Sequence, residues 1–122
     1  YQSFEGYKQA LGEADVFVST AGHEFFGISA VEASIAGCMV VLPKRLAYPE
    51  VFGLGEVEGL EDFFYDGSVK GLVHKLRKIV KSEEYKSDKV RSLGTRMLEK
   101  FRWEAVSRRC DKELLRVFKG CY

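Results

Sequence analysis

Two short apolar runs with a helix-length segment between them constrain this chain more than any other feature. Ala14-Asp15-Val16-Phe17-Val18-Ser19 and Met39-Val40-Val41-Leu42 are β-branched and nearly unbroken, without the alternation of a strand that wets one face. Runs of this kind suit buried strands of a parallel sheet. Between them Thr20 to Phe26 reads as a loop. Gly27 to Ala36 reads as a helix that packs through Ala30, Val31, Ser34 and Ile35 and ends at Gly37. Pro43 closes the second strand. Strand, loop, helix and strand with connections this short make a βαβ unit, which crosses over right-handed in a parallel sheet, so the fold class is α/β.

The flanks are helical. Tyr1 to Gly12 carries Tyr7, Ala10 and Leu11 at helical spacing, and Gly12 is expected to cap a short helix. Tyr48 to Phe64 is acidic and interrupted by Gly53-Leu54-Gly55, which predicts loops and one short helix. Asp66-Gly67-Ser68 makes a turn, and Ser68 is placed to cap the next helix. Three apolar stripes follow: Val69, Leu72, Val73, Leu76, Ile79 and Val80; Val90, Leu93, Met97, Leu98 and Phe101; Trp103, Val106, Cys110, Leu114, Val117 and Phe118. All three are expected to face a core, with Trp103 a packing anchor. Two strands are too few for a stable open sheet. A single partial domain is therefore expected, with residues 1–66 forming the βαβ part and residues 67–122 the helices, and with further strands supplied from elsewhere; open sheet edges leave self-association possible.

A chain of 122 residues, 46% hydrophobic and 30% charged, has the composition of one globular domain. Its apolar runs fall far short of the roughly 20 residues of a membrane span, and no charged-then-apolar leader opens it. A soluble, cytoplasmic protein is the expectation. Cys38, Cys110 and Cys121 are widely spaced and form no metal-binding pattern, so free thiols and no metal are expected, with Cys38 and Cys110 as small core residues. Residues 1–69 hold 3 basic and 11 acidic side chains, net −8, whereas residues 70–122 hold 16 basic and 7 acidic, net +9. That polarity fits either a basic face for nucleic acid or the solvated outer faces of amphipathic helices.

The chemistry concentrates in His23-Glu24-Phe25-Phe26-Gly27-Ile28-Ser29-Ala30-Val31-Glu32-Ala33. One carboxylate sits in the loop after a strand and another, eight residues on, in the helix that the loop leads into. A helix N-terminus offers unpaired amides and a positive dipole end, and Gly27 lets a ligand approach the backbone, which suits a diphosphate. Carboxylates only accept hydrogen bonds, so Glu24 and Glu32 suit hydroxyl-rich groups such as a hexose and a ribose. A sugar nucleotide has both. Glu32, in a helix of small and apolar residues between buried strands, would be costly to leave unpaired.

This run resembles the Glu, seven residues, Glu signature of the group 1 (family 4) retaining glycosyltransferases, which have the two-domain GT-B fold. Glu24, Phe26, Gly27, Glu32, Ala33, Gly37, Val40 and Val41 match in register, and Met39 stands where the pattern has proline. From Ala14 to Phe52 the chain is similar to the subgroup of tRNA-queuosine α-mannosyltransferases, through Ser19-Thr20-Ala21, His23 to Gly27, Gly37-Cys38, Pro43-Lys44 and Tyr48-Pro49-Glu50-Val51-Phe52. Phe101-Arg102-Trp103 resembles the opening of that subgroup's last helix. The resemblance implies the C-terminal half of a Rossmann-like donor domain.

It also implies roles. Glu24 would hold the donor hexose as the catalytic carboxylate, with Phe25 beside it. The amides near Phe26 and Gly27 would receive the diphosphate, and Glu32 would bind the ribose. His23 either reaches the sugar or phosphate or bonds to backbone. Lys44 and Arg45 either add charge near the nucleotide or solvate the surface, and Tyr48-Pro49-Glu50 would form a loop beside the donor. The implied reaction transfers a sugar, mannose from GDP-mannose in the specific version, to an acceptor such as queuosine in tRNA, with retention and without cofactor or metal. The alternatives are a lipid-linked or polysaccharide acceptor, or a non-catalytic nucleotide-sugar-binding module. The Arg and Lys that neutralise the leaving diphosphate lie upstream in this family and have no match here, so this stretch alone is expected to be inactive.

Overall fold

The computed structural model describes residues 3–20, 22 and 26–120. Among them the chain runs α1 (Phe4–Glu13), β1 (Val16–Val18), α2 (Ile28–Ile35), β2 (Met39–Pro43), α3 (Tyr48–Phe52), a 3-10 turn (Leu60–Phe63), β3 (Phe64–Tyr65) and α4 (Val69–Ser82). A second 3-10 turn (Glu84–Lys86) then leads to α5 (Asp88–Phe101) and α6 (Trp103–Gly120). The sheet order is β1-β2-β3, all parallel, with Phe17 opposite Val40 and Leu42 opposite Phe64. The fold is α/β, a partial Rossmann-like sheet with helices.

Every residue of β2 is buried, as its unbroken apolar run requires. β1 departs from expectation: Val16 and Phe17 are half-buried and Val18 is exposed, because among the described residues β1 is the sheet's edge. β3 is a strand that the sequence reading missed, two residues long and hidden in a stretch read as loops and a short helix. Helix α1 does not stop at Gly12 but runs to Glu13, ended by extended Ala14, while Ser3 caps its start by accepting from the Gly6 amide at 3.1 Å. The buried Cys38 thiol donates to the carbonyls of Leu11 and Ala14, both at 3.3 Å, and so ties the end of α1 to the start of β2.

Ser68 caps α4 as expected, accepting from the Gly71 amide at 2.9 Å. The apolar stripes bury less than their periodicity suggests. In α4 only Ile79 is fully buried, while Val69, Val73 and Val80 are exposed. In α5, Val90, Leu93, Gly94 and Met97 are buried and Leu98 is not. α6 buries no residue: Trp103 is 77% exposed and Leu114, Val117 and Phe118 are exposed as well, so Trp103 anchors no core here. Cys110 is likewise exposed rather than a core residue, and Cys121 lies outside the described residues. In α2 the buried set is Ala30, Val31, Ala33 and Ser34, with Ile35 turned out.

Helix α5 locks the helical half onto the βαβ half. Gly94 lies against α2 so closely that a Cβ there would collide with the Ser34 carbonyl oxygen. Two α5 cations cap the end of α3, Arg96 donating to the Phe52 carbonyl at 2.6 Å and Lys100 to the Val51 carbonyl at 2.8 Å. Replacing glycine by alanine inside a helix normally gains about 1 kcal/mol of propensity. A collision with fixed backbone outweighs that gain, so Gly94→Ala is expected to lower unfolding free energy by about 1–3 kcal/mol. The buried Ser34 hydroxyl has no partner among the described residues, so Ser34→Ala should leave stability unchanged or raise it. Urea unfolding of the two variants checks both outcomes.

Candidate functional site

Because the three strands are parallel, their carboxyl ends open on one edge, where sheets of this type bind ligands. Buried hydroxyls tie those ends together. Tyr48, at the start of α3 after β2, shares a 2.8 Å hydrogen bond with the hydroxyl of Ser19, which follows β1. Tyr65, the last residue of β3, donates its phenol to the Ser19 carbonyl at 2.8 Å. The Ser19 amide donates to Val41 at 3.0 Å and the Lys44 amide to Tyr65 at 2.8 Å.

Helix α2 begins at this edge. Its N-cap, Gly27, is left-handed at φ 83°, and no side chain among the described residues caps it. A side chain at 27 is excluded twice: by that φ, and by the Tyr48 ring, whose Cε1 would lie 2.6 Å from a Cβ. Among the described residues the first-turn amides of α2 thus have no capping side chain at the positive end of the helix, which suits an anion. Phe26, beside Gly27, packs edge-on against Phe101 of α5 with centroids 5.3 Å apart. A cleft of about 350 Å³ opens there, lined by Phe26, Ala47, Glu50, Val51, Lys100 and Phe101.

Glu32 lies on the exposed face of α2, not in the buried setting expected of it, since Val31, Ala33 and Ser34 take the buried positions around it. Its carboxylate accepts the phenol of Tyr7 at 2.6 Å. That bond, and burial after it, raise the Tyr7 pKa above the ordinary tyrosine value. Tyr7 reaches Glu32 although its spacing suggested only a helix packing face; the one signal available was a hydroxyl on an aromatic ring in that face. Lys44 follows β2 directly, and its ammonium pairs with Glu61 at 2.9 Å, both side chains exposed. Arg45 lies over Gly67, with its guanidinium nitrogen 3.1 Å from where a Cβ would be. Tyr48-Pro49-Glu50 opens helix α3 instead of forming a loop. His23, Glu24 and Phe25 lie outside the described residues; Gly27 and Tyr48 are brought together at the carboxyl edge of the sheet, and Glu32 lies further along α2. Among the described residues no cluster of His, Cys, Asp and Glu could hold a metal, and no helix is long and apolar enough to cross a membrane.

Residues 1–94 match the family described as Glycosyl transferases group 1. The chain belongs to that family. Over 48 residues, 39% of its length, this group 1 domain is 44% identical to the tRNA-queuosine alpha-mannosyltransferase of Drosophila melanogaster. The shared stretch is 13% of that protein, so the domain matches only a small part of the relative. No solved structure matches it.

The Tyr7–Glu32 bond makes a pH prediction for this glycosyltransferase domain. A phenol whose folded pKa is raised stabilises the fold at pH below its unfolded value, and the contribution is lost as pH rises through the folded value. NMR titration of the Tyr7 ring should therefore place its midpoint above that of an unstructured tyrosine, and Glu32→Gln, which removes the negative charge, should bring it down. A midpoint indifferent to Glu32→Gln would contradict the bond.

Proposed function

We propose that this chain is the donor-binding part of a retaining glycosyltransferase, and that its donor is a nucleotide diphosphate sugar, GDP-mannose in the specific version. The observation that carries the reading is Gly27: a left-handed N-cap, without a side-chain cap among the described residues, starts α2 at the carboxyl edge of a parallel sheet, with Glu24 and Glu32 on either side of it in sequence. The amides after Gly27 receive the diphosphate, with Phe26 beside it. Glu32 accepts from the ribose hydroxyls, with Tyr7 holding one of its oxygens in place. Glu24 accepts from the hexose hydroxyls as the catalytic carboxylate, with His23 and Phe25 flanking it. Lys44 adds positive charge by leaving Glu61, and an exposed pair costs little to break.

The departing diphosphate is stabilised by aligned amides and the helix dipole, which are already in place and need no reorganisation as charge develops. No cofactor or metal enters this scheme. The acceptor is queuosine in tRNA, by analogy with the tRNA-queuosine alpha-mannosyltransferase and with the excess of Lys and Arg in residues 70–122. Exposed Lys70, Arg77 and Lys81 on α4 and Arg108 and Lys112 on α6 are available to phosphates, so binding should weaken as salt rises.

Calorimetric titration of GDP-mannose, GDP, UDP-glucose and UDP into the full-length protein tests the donor. Guanine nucleotides should bind selectively, and Glu32→Ala should weaken them about ten- to a hundredfold, the worth of hydrogen bonds to a charged acceptor. A uridine preference would reassign the donor, and absence of binding would leave a non-catalytic module.

A further inference from the structure

We infer that the Tyr7 phenol is a specificity-determining group that reads, together with Glu32, two neighbouring hydroxyls of the nucleoside. The phenol donates its single proton to Oε2 of Glu32 at 2.6 Å. With that proton spent, the phenol oxygen can only accept from a ligand, and an ionised carboxylate only accepts as well. A hydrogen bond from Ser29, exposed one turn earlier on α2, takes one lone pair of the phenol and leaves the other. Tyr7 and Glu32 thus set two acceptors side by side. Two adjacent hydroxyls on one sugar ring complement them, each donating to one oxygen, whereas a phosphate or carbonyl brought there would set acceptor against acceptor. Glu32 is exposed and Tyr7 half-buried, so the pair is open to a ligand.

The helices that carry the pair are held independently of it. α1 is tied near its end by the Cys38 thiol through the carbonyls of Leu11 and Ala14, and α2 buries Ala30, Val31, Ala33 and Ser34. Both acceptors therefore stand on fixed backbone, and little freedom is lost when a ligand binds. Glu32 is four residues beyond Ile28, about 6 Å along the axis at about 1.5 Å per residue. A nucleoside diphosphate whose phosphates meet the first turn of α2 carries its ribose over such a span, which brings the vicinal hydroxyls to Tyr7 and Glu32. The pair of acceptors is fixed by the fold; that its ligand is a ribose rests on the donor reading above.

The test is Tyr7→Phe in the full-length protein, which keeps the ring and removes the hydroxyl. GDP, 2′-deoxy-GDP and 3′-deoxy-GDP are titrated calorimetrically into parent and variant, or the corresponding uridine nucleotides if the protein prefers uridine. The parent should bind GDP about tenfold or more tightly than either deoxy form. Tyr7→Phe should weaken GDP about fivefold and one of the two deoxy forms by less than about twofold, because that form already lacks the hydroxyl that Tyr7 accepts. A tyrosine with a merely structural role would weaken all three alike. That result would overturn the Tyr7 assignment, as would an unchanged GDP affinity. A parent that binds GDP without preferring it to either deoxy form makes no diol contact, which also overturns the assignment but leaves the diphosphate part of the donor reading standing. A parent that binds no nucleotide removes both.

Discussion

Strand β2 is enclosed on every side, and the rest of the molecule is arranged around that enclosure. Its backbone pairs with β1 on one edge and β3 on the other, and its side chains from Met39 to Pro43 are all buried. Backbone groups paired across a sheet are withdrawn from water, and a strand with no wet face can carry only apolar residues. Both conditions hold only if helices cover the sheet. α2 does so through small residues, and α5 is drawn against α2 at Gly94, where the absence of a side chain lets the two backbones approach.

This packing turns an apolar core into a polar edge. Where the strands end, the buried groups change from aliphatic side chains to the hydroxyls of Ser19, Tyr48 and Tyr65, each with a partner. Burial without partners would be costly, and with them the three strand ends are held in one register. At this edge α2 begins at Gly27, and further along the helix the carboxylate of Glu32 is engaged by Tyr7. The first turn of α2 thus starts from rigid elements. Groups fixed in this way need no reorganisation before they act, which is the condition under which electrostatic stabilisation is effective.

The charge asymmetry takes on a mixed meaning in three dimensions. Some of the cations in the second half are structural: Arg96 and Lys100 cap the end of α3, Arg109 donates to the Lys100 carbonyl at 2.7 Å, and Lys89 pairs with Asp62 at 2.8 Å. Burial works to raise the Asp62 pKa, but the stronger influence is the Lys89 hydrogen bond, which holds this carboxyl below the ordinary aspartate value. Linear charge counts could not separate these from exposed cations such as Lys70 and Arg108, because a capping cation and a solvated one have the same local sequence pattern.

The sequence by itself determined the α/β class, the βαβ unit, the Ser68 cap and the Glu24 to Glu32 run, because each rests on local chemistry: burial on both faces, a capping hydroxyl, a glycine at a turn. Only the tertiary structure decided which apolar stripes are buried. Periodicity reports that a helix has two unlike faces, but whether the apolar one is covered depends on what packs there, and α6 keeps its Trp103 to Phe118 stripe exposed while α5 does not. β3 was invisible because two residues carry no period. Tyr7 and Tyr48 were unreadable as partners of Glu32 and Ser19 because the bonds span 25 and 29 residues, and separations of that size are set by the crossover of the chain, not by any local pattern.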